Sequence, residues 1–506
     1  MPATRRAKPI VLVNPPLGRQ LVDYPLGLLY IAAVLEREGY EVTFLDLNFA
    51  SSWEEYRKRI GATDFDIIGF TAMSLYAAEA FTAMKIAKEV NPKCALILGG
   101  PHATAMPEEC LQESCVDYTV YGEGEETVIE LVDALHRGGD VASVRGVYLR
   151  GNGAAQFTGP RPPIDDLDSL PLPARHLLSD MARYIGPPGH AMATAMASRG
   201  CPGNCSYCQP MVRNLFGRKT RMRSPRNVMD EVVWLVKTHG VKTICFRDDT
   251  ICTQARWLRE FADLMERNST EVKWWSAARV NNLTPERAMD LRRAGCQSLT
   301  FGVESGCQRV LDVLRKGTTV EQARRASALC REHDILFVMA VMIGNPGETR
   351  EEILQTIKHV KELDPDILDP HITTATPGSH LYYSGIEQGF LQGYDYALLT
   401  DREEIAHNFS RVSNDELREL LVLLWREYRC HRRATRTYWR WRLESIVDEL
   451  SQGHLPMVLW LLAISVLKGD GYVYRLARTV WRMPRRVRQL LANPTGRRTA
   501  EIGEHA

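Results

Sequence analysis

The sequence has almost no excess of charge of either sign. Its 506 residues carry 63 Lys+Arg against 62 Asp+Glu, a formal net charge of +1. A dedicated nucleic-acid binder is strongly basic, so the balance argues against that class, although it does not exclude a local basic face. Membrane-spanning runs are also missing. The apolar run Leu455 to Leu467 has about 13 residues, where a helix needs about 20 to cross a bilayer. Met1 to Pro9 has basic residues but no apolar stretch of the kind a secretory signal requires. No internal repeat or long low-complexity tract stands out. Core formers are not scarce: 45% of residues are hydrophobic and 25% charged, which excludes disorder over most of the chain. Without a signal segment the expected compartment is reducing, hence cytoplasmic, and the 12 Cys need not be disulfides.

What is present is a repeated alternation of short apolar runs and amphipathic stretches. Ile10 to Val13, Glu41 to Leu47, Asp66 to Phe70, Ala95 to Leu98 and Val116 to Val120 each end in turn residues. A helical pattern over about Leu26 to Glu38 follows the first of them. This predicts an α/β unit over residues 1–140, a Rossmann-like doubly wound parallel sheet. Ligands of such sheets sit outside the carboxyl ends of the strands, where the glycine-rich turns fall. Residues 141–190 break the pattern. Arg145 to Leu149 with Gly151-Asn152-Gly153 suggests a small hairpin, and the prolines between Pro160 and Pro173 predict a linker across a surface.

Over 191–390 the alternation resumes. Expected strands are Ala191 to Ser198, Thr243 to Arg247, Lys273 to Ala277, Ser298 to Val303, Leu336 to Ile343 and His371 to Thr376. Six such units make a partial (β/α)6 barrel, open on one side. Residues 391–506 read as a helical C-terminal region. Asp401 to Glu427 is amphipathic, and from Arg432 a basic tail carries Tyr438, Trp439 and Trp441. Two readings of the tail stand: a helical domain packed on the barrel, or an interfacial anchor giving peripheral membrane contact.

One loop concentrates the chemistry. Cys201, Cys205 and Cys208 stand in C-x3-C-x2-C spacing just after an expected strand. Three thiolates on one loop can bind three irons of a [4Fe–4S] cluster, which leaves the fourth iron open to a small chelating molecule. Zinc would want a fourth ligand, and no His or Cys lies at normal finger spacing. The other nine Cys show no C-x2-C pairing and are expected to be ordinary buried thiols.

With this triplet, the segment 191–385 resembles the radical S-adenosylmethionine (SAM) superfamily. The segment 1–140 is similar to the cobalamin-binding domain fused to it in one large subgroup. That subgroup includes cobalamin-dependent radical SAM methyltransferases and the anaerobic oxidative cyclase of bacteriochlorophyll synthesis. The resemblance implies that Cys201, Cys205 and Cys208 ligate the cluster and that Tyr207 lies near the adenine. Most of the superfamily has Gly-Gly-Glu after the second strand, meeting the amino group of SAM. Here Phe246-Arg247-Asp248-Asp249-Thr250 stands there, so Asp248 and Asp249 are the candidates, with a helix cap or a turn as the plain alternative. In Gly302-Val303-Glu304-Ser305-Gly306, Glu304 is expected to approach SAM. Arg279 is a weaker SAM or substrate contact, and Gly344, opening Gly344-Asn345-Pro346-Gly347-Glu348-Thr349, would bring backbone against adenine.

The first unit matches the fused subgroup in Pro25-Leu26-Gly27-Leu28-Leu29-Tyr30, in Gly99-Gly100-Pro101-His102 and in Gly122-Glu123-Gly124-Glu125. It departs in one place. Many cobalamin proteins carry Asp-x-His-x-x-Gly after the first strand, with the His on cobalt. Here the loop reads Asn14-Pro15-Pro16-Leu17-Gly18, so cobalamin is expected without that ligand. Thr71, Ser74, Gly99, Gly100 and His102 are its candidate contacts. Glu123 and Glu125 read as caps of the following helix.

The resemblance implies cleavage of SAM to a 5′-deoxyadenosyl radical and cobalamin-dependent methylation of an unactivated carbon in a lipid or secondary metabolite. Two alternatives are an oxidative cyclase or carbon–carbon bond-forming enzyme, and a non-catalytic Fe–S or cobalamin-binding protein. Expected partners are a small-molecule or lipid substrate and an external one-electron reductant such as flavodoxin or ferredoxin, with no nucleic acid.

Overall fold

The computed structural model describes residues 8–16, 25–151, 154–186, 191–268, 271–391, 405 and 407–431. The basic aromatic tail from Arg432, including Leu455 to Leu467, lies outside them. So do Leu17 and Gly18 of the first loop.

Seven strands form the first sheet: β1 (Ile10–Asn14), β2 (Val42–Asp46), β3 (Ile67–Thr71), β4 (Ala95–Gly99), β5 (Tyr118–Val120), β6 (Val147–Arg150) and β7 (Ala155–Phe157). Their order is β2-β1-β3-β4-β5-β6-β7. The first five are parallel, and β6 and β7 add an antiparallel edge. The expected hairpin therefore belongs to this sheet, not to the connection that follows. Pleat alternation explains the double winding. Ile10 and Leu12 pack under Leu28 and Leu131 of the helices Leu26–Arg37 and Glu125–Arg137. Val11 and Val13 pack on the other face with Tyr56 and Met84 of the helices Trp53–Gly61 and Ala77–Val90.

The proline-rich connection is not a loose strap. Ile164, Leu167, Ala174 and Leu178 are buried along it. Arg175 in the same stretch is buried and donates to Glu231 of the helix Pro225–His239 at 2.5 Å.

The second unit begins with β8 (Met192–Ala195). The chain then turns, so the long strand expected here splits, and β9 (Ser198–Arg199) pairs antiparallel with β10 (Arg221–Met222) as a separate ribbon. Next come β11 (Thr243–Phe246), β12 (Lys273–Ala278), β13 (Cys296–Glu304), β14 (Leu336–Ile343) and β15 (Ile367–Ile372). The order β15-β14-β13-β12-β11-β8 is wholly parallel. Six strands in an open array match the partial barrel. The last strand starts earlier than its sequence suggests, because Pro370 sits inside it. An edge strand accommodates a proline whose missing N–H faces away from its neighbour.

Of the stretch Asp401 to Glu427 expected to be helical, residues 407–413 are irregular, and the helix Asn414–His431 runs past its end, packing Leu417, Leu420 and Leu424 into the core of the second unit. No helix among the described residues is long and apolar enough to cross a membrane.

Candidate functional site

The cysteine loop starts where β9 ends. Gly200, at φ +87°, turns the chain, and its N–H donates to Asp249 Oδ2 at 3.0 Å. A Cβ at Gly200 would meet the Lys219 carbonyl at 2.6 Å, so only glycine fits the turn. Cys205 is buried, Cys201 and Cys208 are half-buried, and none is in a disulfide. Burial, reinforced by the neighbouring Cys205 and Cys201, pushes the Cys208 thiol up to about 12. Among the described residues no group of His, Cys, Asp and Glu is drawn together tightly enough to hold a metal ion. A cubane cluster spreads its sulfur ligands more widely than one ion does, and three thiols with no fourth ligand suit the cluster.

Tyr207 projects from this loop onto β13. Its Oη donates to Glu304 Oε1 at 2.8 Å, and Lys316 Nζ donates to the same oxygen at 2.7 Å. Glu304 and Lys316 are both buried. Glu304 stands at φ +66°, a left-handed conformation costing about 1–3 kcal/mol. A Cβ at Gly302 would approach Lys316 Nζ to 2.7 Å, so the glycine makes room for the trio. Lys316 was not among the sequence candidates. The one local sign of it is Gly317 beside it, at φ +65°.

The carboxylates after β11 divide. Asp248 accepts from Ala197 N–H at 2.8 Å and from Ser198 Oγ at 2.6 Å. Both its oxygens therefore hold the turn from β8 to β9. Burial pushes its pKa up to about 6 despite these bonds. Asp248 is thus taken up by the turn, as in the plain reading, while Asp249, which is exposed, accepts among the described residues only from Gly200 N–H. Arg279, expected as a SAM or substrate contact, places its Nη1 3.5 Å from Cys205 Sγ, on the cysteine loop itself.

Gly344 closes β14 at φ +83°, against Leu417. The loop after it is organised by Glu348, whose Oε2 accepts from the N–H groups of Gly344 at 2.8 Å and Asn345 at 2.9 Å. Burial raises the Glu348 pKa to about 7.

In the first unit a cavity of about 360 Å³ runs from the carboxyl ends of the strands down between the sheet and its helices. Leu12, Gly69 and Ile97 line its inner part, and Thr71, Gly99 and Gly100 its rim. A Cβ on Gly69 would meet Leu12 Cδ2 at 2.9 Å. The outer wall comes from the second unit, through Met196, Arg199, Phe216 and Arg247. Ser74 and His102 do not line this cavity. Ser74 Oγ pairs with His102 Nδ1 at 3.0 Å beneath the rim. His102 is fully buried, and burial lowers its pKa to about 4.

Glu123 and Glu125 do not cap a helix; Gly124 stands at the N-cap without a side-chain bond. Instead Arg199 Nη1 meets Glu123 Oε1 at 2.8 Å and its Nη2 meets Glu125 Oε1 at 2.6 Å. Arg221, opposite Arg199 in the ribbon, holds Glu123 Oε2 at 2.9 Å. The cavity wall and the start of the cysteine loop thus share one buried ion network.

Residues 20–132 match the B12 binding domain family and residues 196–360 the Radical SAM superfamily. An uncharacterized methyltransferase of Pyrococcus horikoshii is 33% identical over 420 residues, covering 81% of this chain and 90% of that one. The anaerobic magnesium-protoporphyrin IX monomethyl ester cyclase of Rubrivivax gelatinosus is 32% identical over 367 residues, covering 71% of this chain and 65% of its own. The radical SAM methyltransferase TsrM of Kitasatospora setae, solved with cobalamin and a [4Fe–4S] cluster, superposes with a TM-score of 0.67 at 19% identity, over 83% of this chain and 89% of that one. The chain belongs to the radical SAM superfamily, in the group whose barrel follows a B12-binding domain, and its cofactors are a [4Fe–4S] cluster, SAM and cobalamin. The residues present fit these groups. Three thiols stand on one loop whose Tyr207 reaches the buried Glu304–Lys316 pair, and the cavity is lined by apolar groups and glycines.

Proposed function

We propose that this enzyme transfers a methyl group to an unactivated carbon of a small molecule, a lipid or a secondary metabolite. The observation that supports it is the facing of the two sites: the cavity of the first sheet shares Arg199 with the loop that carries the three cysteines. When bound, the cluster with SAM supplies a carbon-centred radical, and cobalamin supplies a methyl donor. Cys201, Cys205 and Cys208 would hold the cluster. Glu304, fixed by Tyr207 and Lys316, and the exposed Asp249 would bind the polar end of SAM, and the turn at Gly344 would pass its backbone against the adenine. Thr71, Gly99 and Gly100 would seat cobalamin at the rim, while Ser74 and His102 support that rim from beneath. Phe216 and Met196 line the cavity at the junction and, with the cofactors seated, would keep water from a reactive carbon.

The likeness to the Rubrivivax cyclase favours a second reading, a radical oxidative cyclisation without methyl transfer. Superfamily members act on small molecules and draw electrons from a reductant; a flavodoxin or ferredoxin in a reducing cytoplasm would serve here.

The test is anaerobic reconstitution of the full chain with iron, sulfide, cobalamin and a low-potential reductant, then turnover with candidate substrates. Methylated product with both 5′-deoxyadenosine and S-adenosylhomocysteine supports methyl transfer. 5′-Deoxyadenosine without S-adenosylhomocysteine supports the cyclase reading. SAM cleavage that survives replacement of all three cysteines by Ala would sink both.

A further inference from the structure

Arg279 follows β12 directly and its side chain turns back onto the cysteine loop. Besides its approach to Cys205 Sγ at 3.5 Å, its other terminal nitrogen donates to the carbonyl oxygen of Lys316. Two glycines form the notch that holds the guanidinium. A Cβ on Gly203 would lie 2.8 Å from Nη1 and 3.4 Å from Cys201 Sγ, and one on Gly317 would lie 3.7 Å from Nη2.

The charge balance of this notch differs from the rest of the interior. Arg175, Arg199 and Arg223 are buried as deeply, and each meets a glutamate. A buried cation without an anion costs several kcal/mol, which is why such pairs form. Arg279 is 9% exposed, and its partners among the described residues are a sulfur and a carbonyl, with no carboxylate. The anion that would balance it is the thiolate-ligated cluster.

We propose that Arg279 is the counter-ion of the cluster and sets its reduction potential through Cys205, and that it does not bind SAM or substrate. The inference rests on the cluster assignment above. With the cluster bound, its reduced state would carry one more negative charge, the electron coming from an external low-potential donor. A guanidinium donating to a ligand sulfur stabilises that reduced state and raises the midpoint. The planar fork explains the residue type, since it spans the sulfur and the carbonyl together.

The experiment is a redox titration of the reconstituted full chain without SAM, using dithionite as donor and electron paramagnetic resonance as readout. Wild type, Arg279→Gln, Arg279→Lys and Gly203→Ala are compared, and iron content and SAM affinity are measured alongside. Removing the charge should lower the reduced-to-oxidised ratio at fixed potential about tenfold, which is about 59 mV for a one-electron couple. Arg279→Lys should fall between Gln and wild type, and Gly203→Ala, which displaces the fork, should shift in the same direction. SAM affinity should stay close to wild type. An Arg279→Gln chain that folds but retains no iron, where the Lys variant retains it, also supports the charge-balancing role. Unchanged midpoints in the Gln and Lys variants overturn the inference, as does weakened SAM binding at an unchanged midpoint. A wild-type chain that assembles no four-iron cluster sinks the functional reading and this one with it. Wild-type assembly with unmoved variants sinks this one alone.

Discussion

Tyr207 and Glu304 stand 97 residues apart in the chain and meet through a 2.8 Å hydrogen bond that ties the cysteine loop to the end of β13. Lys316 completes the trio, so the carboxylate is held buried and fixed in orientation. Glu304→Gln should weaken SAM binding by about 1.5–3 kcal/mol, the range for a lost charge-assisted hydrogen bond. Tyr207→Phe, which leaves Lys316 in place, should cost less. Equilibrium binding of SAM to the reconstituted protein measures both; a Gln variant that binds like wild type would remove Glu304 from the site.

Asp248 and Asp249 should separate cleanly. Asp248→Ala strips two buried bonds from the turn after β8 and should destabilise the fold by about 2–4 kcal/mol. Asp249→Ala removes a single bond, to Gly200 N–H, and should lower the melting temperature less than Asp248→Ala while weakening SAM binding. Denaturation and SAM titration of both variants decide it, and the reverse pattern would return Asp248 to the ligand side.

Gly99 offers a way to close the first-unit cavity without breaking the fold. Nothing lies closer than 3.9 Å to a Cβ placed there, so a larger side chain has room at its base and projects into the rim. Gly99→Val should raise the dissociation constant for hydroxocobalamin at least about tenfold, or about 1.4 kcal/mol. Iron content should stay at the wild-type level. Undiminished corrinoid binding, followed by visible absorbance, would place cobalamin elsewhere.

His102 gives the first unit a pH dependence. Its folded pKa of about 4 lies below the ordinary 6.5, because burial disfavours the imidazolium. The unfolded chain therefore takes up the proton first as pH falls. The stability contribution is complete above about pH 6.5 and is lost progressively down to about pH 4, by on the order of 3 kcal/mol in full. His102→Asn should flatten this part of the profile. Melting temperatures of the two proteins between pH 7 and pH 5 test it, and parallel slopes would refute it.

Much of this was legible in the sequence, for a physical reason. Strands of a parallel sheet are buried on both faces, so Ile10 to Val13 and Leu336 to Ile343 read as apolar runs with little ambiguity. The cysteine spacing is local and announces its chemistry directly. What stayed hidden depends on distant partners. Glu123 looks like a helix cap until Arg199, 76 residues on, is seen against it. Lys316 looks like a surface lysine until β13 brings Glu304 beneath it. The two aspartates after β11 are indistinguishable as a pair of letters, and only the turn at Ala197 separates them.

The ribbon of β9 and β10 also bears on inheritance. Glu123 and Glu125 belong to the first unit, while Arg199 and Arg221, which neutralise them, belong to the second. Cutting the chain between the units would strand two carboxylates on one piece and their guanidinium partners on the other. A chimaera with a first unit from another protein would inherit only half of the lock. The two halves are therefore not freely exchangeable cassettes: Glu123, Glu125, Arg199 and Arg221 have to travel together.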